Sequence, residues 1–195
     1  MKIHQMSVTY LAEQDRILLR INTAASEEMR LWLTRRLLLG LWPMLSKLLK
    51  RHLLRLEAAG NSLETADEDL KQMLTDFRKD EFLKQADFET PYKNELAALP
   101  LGEEPLLVTD VDASPLPSGR LRLNFNERPL DTNSKPRSFQ LEMQPKLMQG
   151  LMHLLEQALI RSQWRDPFSA APAPAEESAV PDDDGASKPK PRYLN

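Results

Sequence analysis

Two stretches of this chain, residues 30–51 and 140–161, superpose without a gap at a shift of 110 positions. The shift sets Leu31 on Leu141, Leu37 on Leu147, Gly40 on Gly150, Leu41 on Leu151, Leu45 on Leu155, Leu49 on Leu159 and Arg51 on Arg161. Leu33 with Met143, Leu38 with Met148 and Trp42 with Met152 are conservative pairs in the same alignment. Leucine-rich amphipathic helices always share some leucines, but paired glycines and the same order of strands before each helix favour duplication. An internal repeat constrains architecture more than any single element does.

Within the first copy, Met29, Leu31 and Leu33 alternate with Arg30 and Trp32, the period of a half-buried strand. From Arg35 onward the apolar spacing becomes helical. With Lys47 at the top of a helical wheel, Arg36, Lys50, Arg51 and Arg55 fall within about a right angle of it. Leu38, Leu41, Leu45, Leu48, Leu49 and Leu56 fall opposite, which makes an amphipathic helix with a wide apolar face and a basic back. Pro43 removes a hydrogen bond and crowds the preceding turn, so the spacing predicts a kinked or two-part helix. Upstream, residues 7–11 and 16–22 read as strands joined by the short hairpin AEQD. The polar turn TAASEE leads into the third strand.

The same order returns later, with strands predicted at 106–111, 120–126 and 138–143 and a helix at 145–163 that begins with a first-turn proline. The dipeptide VT at 8–9 aligns with VT at 108–109, and LRIN at 19–22 with LNFN at 123–126. The expected fold is therefore α+β, with internally duplicated βββα units related by a pseudo-twofold axis and helices packed on antiparallel sheet. Residues 1–58 form the first unit and 106–165 the second. A three-stranded sheet with one helix leaves edges and apolar surface open, so the halves are expected to cover each other. Gly40 and Gly150 are expected to allow close approach of each helix to its sheet or to the other helix.

Residues 59–105 form an acidic helical insert followed by an extended linker. From 61 to 105 there are twelve acidic and five basic residues, whereas 1–60 hold ten basic and five acidic. Leu63, Leu70, Met73, Leu74, Phe77, Phe82 and Leu83 keep helical spacing, and Pro91, Pro100 and Pro105 stop any helix beyond. Residues 166–195 are rich in Pro, Ala, Ser and acid, with little to bury, and read as a disordered tail. The tail ends KPKPRYLN, a basic and aromatic tip.

Chemistry is sparsely supported. The chain has no cysteine, which excludes disulfides, thiolate metal sites and cysteine nucleophiles. His4, His52 and His153 are far apart in sequence, and His52 falls on the apolar side of its helix, where a packed core role is expected. Asp110 and Asp112 flank Val111 on one strand and point to one face, without a visible third partner. The metalloprotease, phosphate-loop, dinucleotide, nucleophile-elbow and calcium-loop motifs are all missing. No catalytic, metal-ligating or cofactor-binding residue is assigned, and no cofactor is expected.

The opening MKIHQMSVTY lacks the apolar core of a secretory signal. A membrane span at 37–56 would bury Lys47, Lys50, Arg51 and Arg55, each costing about 2.5–3.5 kcal/mol near a bilayer centre. A cytoplasmic protein is expected. The leading functional reading is a non-catalytic adaptor or assembly factor that binds a protein partner of unknown identity through its body and through Arg192, Tyr193 and Leu194 at the tail tip. The first alternative is a single-stranded nucleic-acid binder, with Arg36, Lys47, Lys50, Arg51 and Arg55 on phosphates. The second is an enzyme of unknown class. The alignment places Gln157 on Lys47 and Ile160 on Lys50, so any function of the basic back belongs to the first half alone.

Overall fold

Alternation of apolar and polar residues builds two sheets. The first holds β1 (Ile3–Leu11), β2 (Arg16–Thr23) and β3 (Glu28–Thr34) as an antiparallel meander, extended by the short parallel strand β4 (Leu106–Leu107). The second is a meander of β5 (Asp110–Pro115), β6 (Leu121–Glu127) and β7 (Arg137–Met143). Three α-helices complete the fold: α1 (Arg35–Ala58), α2 (Glu68–Gln85) and α3 (Pro145–Ser162). The computed structural model describes residues 2–58, 67–88, 90–93, 98–128 and 135–165. The tail 166–195, with Arg192, Tyr193 and Leu194, lies outside the described residues.

Corresponding residues occupy corresponding registers. In the first sheet Ile17 pairs with Leu33, Leu19 with Leu31 and Ile21 with Met29. In the second, Leu121 pairs with Met143, Leu123 with Leu141 and Phe125 with Phe139. All twelve side chains are buried, and they share one core with Leu38, Leu41, Leu45 and Leu49 of α1 and Met148, Leu151, Leu155 and Leu159 of α3. Burying one such aliphatic side chain contributes about 1.5–3 kcal/mol, so this shared core dominates the stability of the body. The helices cross over: α1 packs on β5 as well as β3, and α3 packs on β1.

The structure corrects three local expectations. Residues 106–111 do not make one strand. Leu106 and Leu107 pair with Leu31 and Trp32 in the first sheet, and the chain enters the second sheet only at Asp110. The crossing is fixed by Val108 N–H donating to Trp32 O at 3.0 Å and Thr109 N–H donating to Asn126 O at 2.9 Å. Consequently Val8, which faces Leu19, corresponds by register to Ala113, which faces Leu123, and not to Val108.

The second correction concerns Pro43: of the kinked and the two-part helix the two-part form is excluded, since α1 runs through Pro43 without a break. Pro43 faces solvent, where water can take the carbonyl its ring leaves unbonded, while buried leucines on both sides of it hold the helix together. The third concerns the glycines. A Cβ at Gly40 would meet nothing within 4 Å, whereas one at Gly150 would meet the Phe82 ring of α2 at 3.2 Å. Close approach therefore operates only at Gly150.

Side chains tie the irregular parts down. Leu37 N–H donates to Thr34 Oγ1 at 3.3 Å and caps α1. Trp164, 3% exposed, donates from Nε1 to Asp15 Oδ1 at 2.6 Å. Tyr10 O–H donates to the same oxygen at 3.0 Å, and Arg35 donates to Trp164 O at 2.9 Å. Arg137 binds the Glu127 carboxylate and donates to Leu101 O at 2.9 Å and Glu104 O at 3.1 Å, and Leu107 N–H donates to Glu127 Oε1 at 3.0 Å. The linker is thereby fastened to the second sheet. The Arg137 hydrogen bond holds the Glu127 carboxyl below its ordinary value; burial opposes this, and the Leu107 amide reinforces it.

Two predictions follow from this packing. Gly40→Ala should stabilise the protein by about 0.5–1 kcal/mol, the usual gain inside a helix, in urea unfolding. Gly150→Ala should lose that gain because the Phe82 ring must move, and adding Phe82→Leu should restore it. A carboxylate with a lowered folded-state pKa stabilises above its unfolded value, about 4.3, and loses that contribution as pH falls through the folded value. Glu127→Gln should therefore flatten the acid side of the stability–pH profile below about pH 4.3, as measured by urea midpoints across that range.

Candidate functional site

Residues from five parts of the chain converge on a cleft of about 930 Å³. Leu53 comes from α1, Arg78, Glu81 and Phe82 from α2, Glu142 from the end of β7, and Gln144, Pro145, Lys146 and Gln149 from the start of α3. Ser118, Gly119 and Arg120 come from the β5–β6 turn, where Gly119 has φ +75° and so needs to be glycine. That turn closes through Leu116 N–H to Arg120 O at 2.8 Å. It is also held from α1: His52, 4% exposed, donates from Nε2 to Gly119 O at 2.9 Å. His52 is thus a packed core residue, as its place on the apolar face implies.

The charges around the cleft are unequally committed. Arg78 pairs with Glu81 at 2.8 Å, and Glu142 accepts from Arg122 Nη2 at 2.7 Å and Nε at 3.0 Å. Arg120 and Lys146 make no ion pair among the described residues. Pro145 has no N–H, and the first ladder bond of α3 is Met148 N–H to Gln144 O at 3.0 Å, so the Lys146 and Leu147 amides precede the ladder. Gln144 gives no side-chain cap. Gln149, only 6% exposed, has an amide Nε2 without a hydrogen-bond partner. It stands between this cleft and a second hollow lined by Trp42, Leu49 and Met152. Sequence spacing did not single out Gln149, but one signal was there: at the shift of 110 it aligns with Leu39, a polar residue set on an apolar one.

Arg36, Lys47, Arg51 and Arg55 lie exposed along α1. Lys50 turns aside and donates to Gln72 Oε1 of α2 at 3.1 Å. Asp110 and Asp112 share the outer face of the second sheet: Asp110 meets Arg128 at 3.6 Å, and Asp112 accepts from Asn126 at 3.2 Å. His4 is exposed, and the His153 ring lies 5.0 Å from that of Phe88. Among the described residues no group of three or more His, Asp and Glu could hold a metal ion, and no helix is long and apolar enough to cross a membrane.

Two surfaces went unrecognised in the sequence. The outer face of the first sheet carries Arg16, Leu18, Arg20, Arg30 and Trp32 in neighbouring registers. The segment around Tyr92 lies across one end of it. Arg20 sits 4.3 Å from the Tyr92 ring, and Tyr92 O–H donates to Glu28 Oε2 at 2.9 Å. Burial, then that hydrogen bond and the Glu28 charge, push the Tyr92 phenol well above its ordinary value. The second surface is the outward side of α2, where Leu70, Met73 and Phe77 are 49%, 66% and 63% exposed.

Compared with protein families, with characterised proteins and with solved structures, the chain matches none.

Glu28 is 4% exposed and is shared by Tyr92 and Arg30. Tyr92→Phe removes one donor from a buried carboxylate and should destabilise the protein by about 1–3 kcal/mol in urea unfolding. Tyr10→Phe, at an exposed hydrogen bond, should cost less.

Proposed function

We propose that this chain is a non-catalytic protein-binding adaptor or assembly factor whose body arose by duplication of a βββα unit about a pseudo-twofold axis. What supports the duplication is the ungapped alignment of residues 30–51 with 140–161, together with matching registers and the reciprocal placement of α1 and α3.

The observation that carries the adaptor reading is the stripe of Leu70, Met73 and Phe77 on α2. Spaced by three and four residues, these side chains form one line on the helix, and they face water although they are apolar. Asp69, Asp76 and Asp80 run along one edge of the line and are exposed. That combination fits an apolar groove with a basic rim on a partner protein, the helix-in-groove mode of recognition. A second copy is a poor occupant, because antiparallel pairing of two α2 helices would set carboxylates against carboxylates. The tail tip, Arg192 to Leu194, supplies a second and tethered contact.

A photo-crosslinking residue at Phe77 should capture the partner, whose affinity is then measured with purified proteins. Phe77→Asp should weaken that affinity by about 100-fold or more, a loss of ~2.7 kcal/mol typical of an interface anchor. Asp76→Lys with Asp80→Lys should weaken it in a salt-dependent way, and deletion of residues 188–195 should weaken it without changing thermal stability. An affinity indifferent to Phe77 would overturn the role of α2.

A single-stranded nucleic acid is the second reading, favoured by Arg16, Arg20 and Arg30 around Trp32 on one outward face and by the exposed row Arg36, Lys47, Arg51 and Arg55. It predicts oligonucleotide binding that quenches Trp32 fluorescence and weakens steeply with salt, with Arg30→Glu reducing both affinity and salt slope. No binding at about 50 mM salt would exclude it.

A further inference from the structure

We propose that the first turn of α3 holds the phosphate group of a small phosphorylated ligand in the cleft between α2, the β5–β6 turn and α3. This site is separate from the α2 stripe and does not depend on the adaptor reading. The first observation is the helix terminus itself. The Lys146 and Leu147 amides precede the hydrogen-bond ladder, no side chain caps them, and the positive end of an 18-residue helix favours an anion there.

The second observation is independent of the helix end. Gln149 lines the cleft and is 94% buried, with its Nε2 closed off from solvent and without a hydrogen-bond partner among the described residues, an arrangement that is costly unless an acceptor is supplied. A ligand oxygen, reached by a small turn of the amide, would supply one.

Charge agrees with this assignment. Arg120 and Lys146 flank the opening, and an adjoining hollow shares both of them and adds Lys2. A phosphate, with three peripheral oxygens, can meet the helix amides, the two cations and the Gln149 amide together, as a planar carboxylate cannot. The two carboxylates of the cleft, Glu81 and Glu142, are each already paired with an arginine and so do not oppose an anion at full strength. They also leave acceptor oxygens that can take hydroxyl groups of the ligand. A volume of about 930 Å³ suits a ligand larger than the bare ion. His52, by holding Gly119, fixes the turn that carries Arg120.

The test is a titration of the full-length protein with inorganic phosphate, against chloride at matched ionic strength, followed by amide NMR. Saturable shifts at the Lys146 and Leu147 amides and the Gln149 side-chain amide are expected. Arg120→Glu with Lys146→Glu, both exposed, should weaken phosphate at least ~10-fold with the rest of the spectrum unchanged. Gln149→Met fills the same space without a donor, so it should weaken phosphate while the thermal midpoint holds or rises. Shifts that never saturate, or that persist in the double variant, would overturn the site. Unchanged phosphate affinity in Gln149→Met would make Gln149 a structural residue and would likewise overturn the site.

Discussion

Each meander turns one largely apolar face inward, and that face needs more cover than a single helix provides. The rest of the body follows from how the cover is shared. α1 leaves β3 and reaches β5; α3 leaves β7 and reaches β1. Leu45 and Leu155 are therefore core residues of the whole body rather than of one half, and the inner faces of both sheets enter one cluster. The linker, which has little apolar surface of its own, is drawn in where Leu106 extends the first sheet, and it is fastened where Arg137 gathers the carbonyls of Leu101 and Glu104.

α2 occupies an unusual position in this scheme. Its inner side supplies Arg78 and Phe82 to the cleft, and the Phe82 ring packs close to where a side chain at Gly150 would stand. Its outer side carries the apolar stripe with acidic neighbours. A ligand in the cleft and a partner on the stripe would touch the same helix on adjoining faces. Any shift of α2 by one would then change the affinity for the other by an equal factor, as linkage requires. The outer sheet faces differ as well: Arg16, Arg20 and Arg30 with Glu28 on the first, Asp110, Asp112 and Glu142 with Arg122 on the second. Alike in their inner faces, the halves diverge where they meet solvent.

Much of the fold was legible because period two and period 3.6 are local signals. Ile17, Leu19 and Ile21 announce an inner face without help from elsewhere, and the change of period at Arg35 marks a helix start. The same alternation could not say which sheet Leu106 joins, because LLVTDVD fits either edge and the choice depends on Trp32 and Asn126. Gly40 and Gly150 are indistinguishable in the alignment. What separates them is Phe82, which arrives from the insert. The basic back of α1 could be drawn on a wheel, but the cleft could not: its wall gathers Leu53, Phe82, Arg120 and Gln149 from distant positions. The α2 stripe is visible in the sequence as helical spacing, but periodicity reports a line of apolar residues and not what covers it.

Trp164 and Asp15 are separated by 149 positions, yet they share the shortest polar contact of their corner. During synthesis the hairpin that carries Asp15 emerges early, and its partner emerges only when the folded body is nearly complete. Until then β1 lacks the helix that covers it, and its outer edge can pair with any extended strand nearby. Such non-local closure slows folding, because long loops are ordered before the contacts that reward them. The nascent chain therefore passes through a long interval with an open edge, and Lys2 and His4 at the start of that strand are the kind of polar residues that discourage mispairing there.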